Sequence, residues 1–310
     1  MAQHGPDPGG RYDPALSGDD RTGAQVDDFE GRVAVVTGAG SGIGRSLASA
    51  FAREGMRLVL ADIEQGALDA VAEELRGTGT EVTTVVADVS QEEQVRAIGA
   101  AAMDRYGALH VACNNAGVSG GGLSWEIDAA TWEWILGVNL FGVIHGVRTF
   151  TPLIIDSGGG HVVNTASMAG LTSPPGMSPY NVSKHGVVTL SEAMSMELAM
   201  THPEVRVSVL CPGWVRTRIH EADRNRPESV PGLPEPGDDP AGQGLAAMRA
   251  MVEQWIAEGL DPDDVAGMVL DAIRTNRFYV LTHPEWQNMV RDRVERMLGG
   301  EDPMAMLPGN

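Results

Sequence analysis

Residues 32–62 read RVAVVTGAGSGIGRSLASAFAREGMRLVLAD and decide the fold of the chain. The first six residues form a β-branched apolar run, typical of a strand buried on both faces. A glycine-rich turn and an apolar helical pattern follow, and a second apolar run ends at Asp62. This order predicts a parallel β-α-β unit with helices packed on its sheet.

The same alternation continues to the end of the chain. The sequence therefore predicts an α/β fold: a single-domain Rossmann fold with a doubly wound parallel sheet and helices on both faces. Strands are expected at 32–37, 57–61, 81–87, 109–113, 161–166, 205–211 and 278–282. Helices are expected at 42–54, 64–76, 91–106, 128–155, 178–200, 243–258, 262–274 and 284–298.

The pattern breaks in three places, which set the expected domain boundaries. Residues 1–28 are rich in Gly, Pro and Asp, and we expect a disordered acidic tail. Residues 29–300 are expected to form the domain, and residues 301–310 a short C-terminal tail. Within the domain, residues 214–242 are rich in Pro, Gly and charge and predict a long loop that covers the substrate.

Composition excludes several classes of protein. The 310 residues carry a formal net charge of −20, which argues against nucleic acid and anionic membranes as partners. Cys113 and Cys211 lie in apolar runs and predict buried free thiols. The eight histidines show no metal-ligand spacing, so no metal is expected. With neither a signal-peptide pattern nor an apolar run of membrane-spanning length, a cytoplasmic protein is expected.

The first turn reads Thr37-Gly-Ala-Gly-Ser-Gly-Ile-Gly44, between a strand and a helix. Missing Cβ atoms there would let backbone N–H groups approach a pyrophosphate at the helix N-terminus; the alternative is a turn that serves only packing. Asp62, at the end of the second strand, predicts hydrogen bonds to the ribose hydroxyls of NAD, which is favoured over NADP. Asp62 could instead cap the next helix, and the two roles are compatible. Arg45 and Arg57 are the nearest cations that could weaken the preference for NAD.

Residues 161–190 carry the predicted chemistry. A strand leads to Ser167, and Tyr180 and Lys184 follow four residues apart on one helical face. A neighbouring ammonium would lower the pKa of the phenol, whose ordinary value is about 10. Tyr180 could then exchange a proton with an alcohol, while Ser167 hydrogen-bonds the reacting oxygen.

Taken in order, these motifs resemble the short-chain dehydrogenase/reductase family over about residues 30–285. They are Thr37-Gly38-x-x-x-Gly42-x-Gly44, Asn114-Asn115-Ala116-Gly117, Asn139, Ser167, Tyr180-x-x-x-Lys184 and Pro212-Gly213. The resemblance implies a catalytic set in which Tyr180 is the acid/base, Lys184 lowers its pKa, Ser167 orients the substrate and Asn139 supports a proton-conducting water. It implies that the dinucleotide is bound by Gly38, Ser41, Gly42, Ile43, Gly44, Asp62, Asp88, Val89, Asn115, Ala116, Gly117, Tyr180, Lys184, Pro212, Gly213, Val215 and Thr217.

The substrate side is read from apolar residues near the expected pocket: Met168, Leu171, Met177, Trp214 and Ile219. They indicate a hydrophobic secondary alcohol or its ketone, although each could instead be core or loop packing. The leading prediction is an NAD-dependent dehydrogenase. The alternatives are an NADPH-dependent carbonyl reductase of the same fold and a non-catalytic dinucleotide sensor. The resemblance also implies a homo-oligomer, a dimer or tetramer, formed through helices 128–155 and 178–200.

Overall fold

Alternating strands and helices form along the chain as the sequence predicts. The computed structural model describes residues 28–232 and 240–303. The strands are β1 Val33–Thr37, β2 Arg57–Asp62, β3 Val82–Val86, β4 Val111–Asn114, β5 Gly160–Thr165, β6 Val205–Cys211 and β7 Tyr279–Leu281. The helices are α1 Gly42–Arg53, α2 Gln65–Gly77, α3 Glu92–Tyr106, α4 Ala129–Leu136, α5 Gly142–Asp156, α6 Ser178–Thr201, α7 Pro240–Ala257, α8 Pro262–Thr275 and α9 Gln287–Gly299.

Within the described residues, one parallel sheet of seven strands carries the fold, in the order β3-β2-β1-β4-β5-β6-β7. From β1 the chain runs outward through β2 and β3, then crosses back to β4 on the other side of β1. Ligands of such sheets bind in the crevice beyond the carboxyl ends of the strands at this switch point. The turns after β1, β4 and β5 therefore meet at one edge, and they hold many of the predicted site residues.

The strand β1 shows why the sheet is covered on both sides. Ala34 and Val36 pack into a cluster with α1 and α8, whereas Val33 and Val35 pack into a second cluster with α3 and α5. Successive side chains of a strand point to opposite faces, so a continuous apolar run needs helices on both. Cys113 and Cys211 are buried free thiols in this core, as expected.

Three predicted elements differ in detail from the structure. The long helix expected at 128–155 is interrupted by a π-helical turn, Gly137–Phe141, between α4 and α5. The helix expected at 284–298 begins as a 3₁₀ turn, Pro284–Trp286, before α9. The predicted loop 214–242 contains a 3₁₀ turn, Ile219–Asn225, and its last residues open α7.

By length and composition alone, the helical segment Ala129–Asp156 could cross a membrane, contrary to the expectation that no apolar run reaches that length. Only 33% of its most apolar window is buried. In the fold, however, α5 packs on β4, β5 and α3, as a core helix of a globular domain does. An apolar helix of this kind passes the same test without spanning a membrane.

The two predicted tails fall almost wholly outside the described residues. Residues 1–27 and 304–310 lie there, and so do residues 233–239 of the predicted loop. The expected boundaries of the domain therefore remain predictions.

Candidate active site

A cavity of about 540 Å³ opens at the carboxyl ends of the strands and extends from Asp62 to Trp286. Its walls come from the turns after β1 to β6, together with α4, α6, α7, the segment 214–230 and the C-terminal region. This one cavity brings together residues that lie more than two hundred positions apart in sequence. Most of the predicted cofactor, catalytic and substrate residues line it.

The glycine-rich turn forms one wall of the cavity through Gly38, Ser41, Gly42 and Ile43. Gly42 has a φ of +52°, and a Cβ there would lie 3.0 Å from the Thr217 side chain. Ser41 makes no side-chain capping hydrogen bond at the start of α1, so the helix leaves its first N–H groups without that partner. A close, Cβ-free approach and an uncapped helix N-terminus together fit a pyrophosphate.

Gly44 does not line the cavity. A Cβ on Gly44 would lie 2.0 Å from the Gly38 carbonyl oxygen and 2.7 Å from Asn115 Nδ2. The residue lets α1 pack directly against the turn that precedes it. The packing alternative considered for the turn thus applies to this glycine, while Gly38 and Gly42 border the open space.

Asp62 fixes the geometry at the far end of the cavity. Its Oδ2 accepts a hydrogen bond from the Gly40 N–H at 2.8 Å, and its Oδ1 accepts one from the Glu64 N–H at 2.9 Å. The carboxylate therefore joins the glycine-rich turn to the turn before α2 and also borders the cavity. The residue before α2 is Glu64, and no side chain caps the helix, so Asp62 stabilises the turn before α2 and does not cap the helix itself. Its role toward ribose hydroxyls stays a prediction.

A buried hydroxyl organises the junction between β1 and β4. Thr37 Oγ1 accepts hydrogen bonds from the N–H groups of Asn115 at 2.9 Å and Ala116 at 3.1 Å. Asn115 Nδ2 donates back to the Thr37 carbonyl at 3.1 Å, and Thr165 Oγ1 donates to Asn115 Oδ1 at 3.3 Å. Three neighbouring strand ends are tied together in this way, which holds Asn115, Ala116 and Gly117 on the cavity wall.

Ser167 and Tyr180 meet in the middle of the cavity. Ser167 lies at the start of the 3₁₀ turn after β5, where its Oγ accepts a hydrogen bond from the Ala169 N–H at 3.1 Å. Burial raises the pKa of the Tyr180 hydroxyl, and a hydrogen bond with the Ser167 side chain lowers it by less. The net direction is upward, opposite to the lowering predicted from the neighbouring lysine.

Lys184 is buried beneath the tyrosine. Its Nζ donates to the Thr165 carbonyl oxygen at 2.9 Å and lies 5.6 Å from the centroid of the Tyr180 ring. Burial lowers the pKa of Lys184 to about 8, and the nearby Cys211 opposes this shift. The Thr165 carbonyl thus holds the ammonium beside the Tyr180 ring. Because burial disfavours the charged form, the pKa of Lys184 lies close to neutral pH.

Asn139 lies outside the cavity lining, in the π-helical turn. Its Oδ1 accepts from the Val118 N–H at 2.8 Å, and its Nδ2 donates to the Val118 carbonyl at 2.9 Å and to Ser183 Oγ at 3.2 Å. A Cβ on Gly117 would lie 3.4 Å from Asn139 Oδ1 and 3.7 Å from Lys184 Nζ. The amide thus orders the segment after β4 beside Lys184. Insertions of π-helix are frequent at functional sites.

Aromatic side chains form the opposite end of the cavity. The ring centroid of Trp214 lies 5.4 Å from that of Trp255 and 6.0 Å from that of Trp286, the second pair nearly perpendicular. Trp134 also borders the cavity, and Arg226 stacks on its ring at 4.6 Å. This end offers a ligand apolar, polarisable walls.

Of the predicted site residues, three do not border the cavity. Gly44 and Asn139 are described above, and Leu171 packs into the cluster that includes Met168 and Val188. The remaining predicted residues line it: Gly38, Ser41, Gly42, Ile43, Asp62, Asp88, Val89, Asn115, Ala116, Gly117, Ser167, Met168, Met177, Tyr180, Lys184, Pro212, Gly213, Trp214, Val215, Thr217 and Ile219.

Sequence reasoning missed several residues that border the cavity. Trp255, Trp286 and Met289 come from α7 and the C-terminal region, which the site prediction did not include. Their signal was weak, because a helical apolar pattern is equally typical of core residues. Thr165 was also missed, and Thr37 was quoted in the glycine-rich motif without its role in holding the strand ends. A polar residue inside an otherwise apolar strand was the available clue.

Comparison with known proteins shows the family to which the chain belongs. Residues 32–228 match the family model described as short chain dehydrogenase. The chain belongs to this family. Its solved relatives include a short-chain dehydrogenase/reductase from Burkholderia phymatum in complex with NAD, 44% identical, with a TM-score of 0.85. That alignment covers 90% of this chain and 99% of the other.

Curated relatives are oxidoreductases of the same family. A 1-deoxy-11-beta-hydroxypentalenate dehydrogenase from Streptomyces exfoliatus is 34% identical, in an alignment that covers 85% of this chain and 87% of the relative. A cyclohexanol dehydrogenase from an Acinetobacter species is 37% identical, in an alignment that covers 62% of this chain and 76% of the relative. This short-chain dehydrogenase is thus an oxidoreductase built on the predicted fold.

Proposed function

We propose that this short-chain dehydrogenase is an NAD-dependent oxidoreductase that interconverts a hydrophobic secondary alcohol and its ketone. One observation carries the proposal: a single cavity joins Ser167, Tyr180 and Lys184 to the Asp62 carboxylate at its far end. A dinucleotide with its adenosine at Asp62 would thus extend toward the tyrosine. The alcohol would occupy the remaining, aromatic end.

The preference for NAD rests on charge at the adenosine end. A carboxylate such as Asp62 accepts hydrogen bonds from ribose hydroxyls and repels a 2′-phosphate. The two cations named from the sequence are engaged elsewhere: Arg45 pairs with Glu74 at 2.7 Å, and Arg57 donates to the Gly31 carbonyl. Arg224, which borders the cavity at this end, is paired with Glu64 at 2.8 Å. The NAD bound by the Burkholderia phymatum relative supports the same preference.

The proposed mechanism assigns proton transfer to Tyr180. During alcohol oxidation its phenolate would take the hydroxyl proton, and Ser167 would hold the reacting oxygen. Bound NAD would supply the hydride acceptor and a positively charged ring. Lys184, held at the tyrosine ring by the Thr165 carbonyl, would favour the phenolate by its charge. Asn139 would order the segment after β4 beside Lys184, along the route by which the proton leaves.

The aromatic end of the cavity supports a hydrophobic substrate. Trp214, Trp255 and Trp286 form a continuous wall, and Met168 and Met177 border the same space. Burying an apolar ring there is favourable by about 25 cal/mol for each Å² removed from water. The names of the relatives, a cyclohexanol and a hydroxypentalenate dehydrogenase, point to alicyclic alcohols of this kind.

We also propose a homo-oligomer formed through α5 and α6. Phe141, just before α5, and Val182, on α6, are each half exposed. Contiguous exposed apolar surface marks interaction sites, and a second copy of the chain packed on α5 and α6 would cover these side chains. The proposal includes residues 29–300 as the catalytic domain of a cytoplasmic enzyme. Light scattering on the purified protein measures the oligomer directly.

The test is nicotinamide absorbance with purified protein, using NAD and NADP separately and a panel of alicyclic, aryl, terpenoid and steroid secondary alcohols. Turnover with NAD on one chemical class is expected. Turnover with NADP alone would overturn the role given to Asp62 and favour a reductase. Binding of NADH without turnover of any alcohol or ketone would favour a dinucleotide sensor.

A further inference from the structure

The segment after β6 crosses the mouth of the cavity. Near its start, Thr217 lies against Gly42 of the glycine-rich turn. We call the 3₁₀ turn Ile219–Asn225 the lid turn. Ile219 and Ala222 of this turn border the cavity, and so do Arg224 and Asn225 at its end.

The end of the lid turn is tied to Glu64, at the start of α2. Arg224 Nε and Asn225 Nδ2 both donate to Glu64 Oε1, at 2.8 and 2.9 Å. Glu64 and Arg224 expose only 28% and 25% of their side chains, so their ion pair is better shielded from solvent than a surface pair. These contacts join residues that lie 160 and 161 positions apart in sequence.

Glu64 belongs to the adenosine end of the cavity. Its N–H donates to Asp62 Oδ1 at 2.9 Å, and both residues border the cavity. Burial raises the pKa of Glu64, but hydrogen bonds from Asn225 and Arg224 and the charges of Arg224 and Arg218 lower it by more. The carboxylate is therefore ionised at neutral pH, as an ion pair with Arg224 requires.

Arg224 also shapes the lid turn itself. Its Nη1 donates to the carbonyl oxygens of Arg218 at 2.9 Å and Glu221 at 3.0 Å. One guanidinium thus closes the turn and anchors it to Glu64. On the substrate side, Arg226 stacks on Trp134 and donates to Pro231, so the segment is held at both sides of the cavity.

We propose that Glu64, Arg224 and Asn225 form a latch that holds the lid turn across the dinucleotide cleft. Glu64 is then a positioning residue: it acts on the cofactor through the lid turn. Because the latch joins the two walls at the adenosine end, a bound dinucleotide leaves only after the latch opens. This inference rests on the proposed function, in which the dinucleotide occupies this cleft.

The test is the dissociation rate of NADH, measured by stopped-flow fluorescence on the full-length protein. Glu64→Gln removes the charge of the latch, and Glu64→Asp keeps the charge but shortens the reach to Arg224 and Asn225. Both variants are expected to release NADH about five- to tenfold faster, as loss of a partly buried charged hydrogen bond implies. Faster release from Glu64→Gln with an unaltered rate in Glu64→Asp would assign the effect to local charge and would overturn the latch.

A matched control lies inside the lid turn. Glu221 pairs with Arg218 at 2.6 Å and exposes 45% of its side chain, but it does not border the cavity. Glu221→Gln is expected to leave NADH release unchanged. As a second readout, NADH is expected to protect the peptide bond after Arg224 from trypsin in the unaltered protein and not in Glu64→Gln.

The outcomes separate the latch from the function. Failure of the unaltered protein to bind NADH overturns the proposed function and the latch with it. Normal binding, with release from both Glu64 variants at the unaltered rate, overturns the latch alone. Equal acceleration by Glu221→Gln also overturns it, because any loosening of the turn would then suffice.

Discussion

Tyr180 shows how burial competes with a neighbouring charge. The sequence predicts that Lys184 lowers the pKa of the phenol, but burial raises the pKa in the folded protein. Lys184 is itself desolvated, and its ammonium is engaged by the Thr165 carbonyl. In the proposed mechanism the further positive charge needed to favour the phenolate comes with the oxidised nicotinamide. The spacing of four residues correctly predicts that Tyr180 and Lys184 are neighbours, but the predicted direction of the pKa shift of Tyr180 is wrong.

Replacing Tyr180 tests the proposed acid/base most directly. Tyr180→Phe keeps the ring under which Lys184 lies and removes only the hydroxyl, so turnover is expected to fall by about 10²- to 10⁴-fold. NADH binding, measured by fluorescence titration, is expected to survive. Tyr279→Phe is the control, because that hydroxyl bonds to Glu192 and its residue does not border the cavity. Full activity in Tyr180→Phe would remove this residue from the mechanism.

The direction of the Tyr180 shift also sets a pH dependence. A base acts when deprotonated, and a pKa raised above the ordinary value of about 10 leaves little phenolate at neutral pH. The kcat/KM for alcohol oxidation is therefore expected to rise from pH 7 and to level off between about pH 8 and pH 9, where Lys184, with a pKa of about 8, loses its charge. Reduction of the ketone is expected to show no such rise. Initial rates in both directions across this range provide the measurement. An oxidation profile that is flat or falls would contradict phenolate catalysis.

At the scale of elements, the glycine-rich turn serves packing and binding at different positions. Gly44 lets α1 touch the preceding turn, whereas Gly38 and Gly42 border the cavity. The sequence predicts the whole turn but not this division, since glycines look alike in a pattern. Similarly, the sequence predicts a helix through 128–155 but not its π-helical turn. That turn depends on hydrogen bonds between Asn139 and Val118, which are distant in sequence.

Alanine at Gly44 is expected to destabilise the protein by about 3 kcal/mol or more, since the new Cβ would overlap the Gly38 carbonyl at 2.0 Å. Urea unfolding followed by circular dichroism measures this change. Gly66→Ala in α2 is the matched control, because a Cβ there has nothing within 4 Å. Helical alanine is preferred to glycine, so the control should be unchanged or up to about 1 kcal/mol more stable. Equal stability of the two variants would contradict the close packing of α1.

At the scale of the whole molecule, the fold was predictable where local patterns repeat. Buried apolar runs such as Val33–Thr37 predict central strands, and their alternation with helices predicts a parallel sheet. The aromatic end of the cavity was not predictable in the same way. Trp255 and Trp286 reach Trp214 only through the packing of α7 and the C-terminal region, and nothing in the local sequence indicates that contact. The latch at Glu64 likewise joins segments that only the folded chain brings together.

His161 couples the stability of the whole fold to pH. It lies fully buried at the start of β5, where its Nε2 pairs with Ser208 Oγ at 2.8 Å. Burial lowers its pKa to about 3, and the charge of Arg206 adds to this shift. The folded protein therefore keeps the ring neutral at pH values where the unfolded chain, with an ordinary pKa of about 6.5, takes up a proton.

This difference predicts a loss of stability in acid that is absent above about pH 6.5. Between pH 6.5 and pH 3 the unfolded state binds the additional proton, so each unit of falling pH costs about 1.4 kcal/mol, or about 3 kcal/mol by pH 4.5. His161→Gln, which keeps a partner for Ser208, is expected to flatten this part of the slope, measured by urea unfolding at several pH values. Equal slopes in the His161→Gln variant and the unaltered protein would assign acid sensitivity to the carboxylates instead.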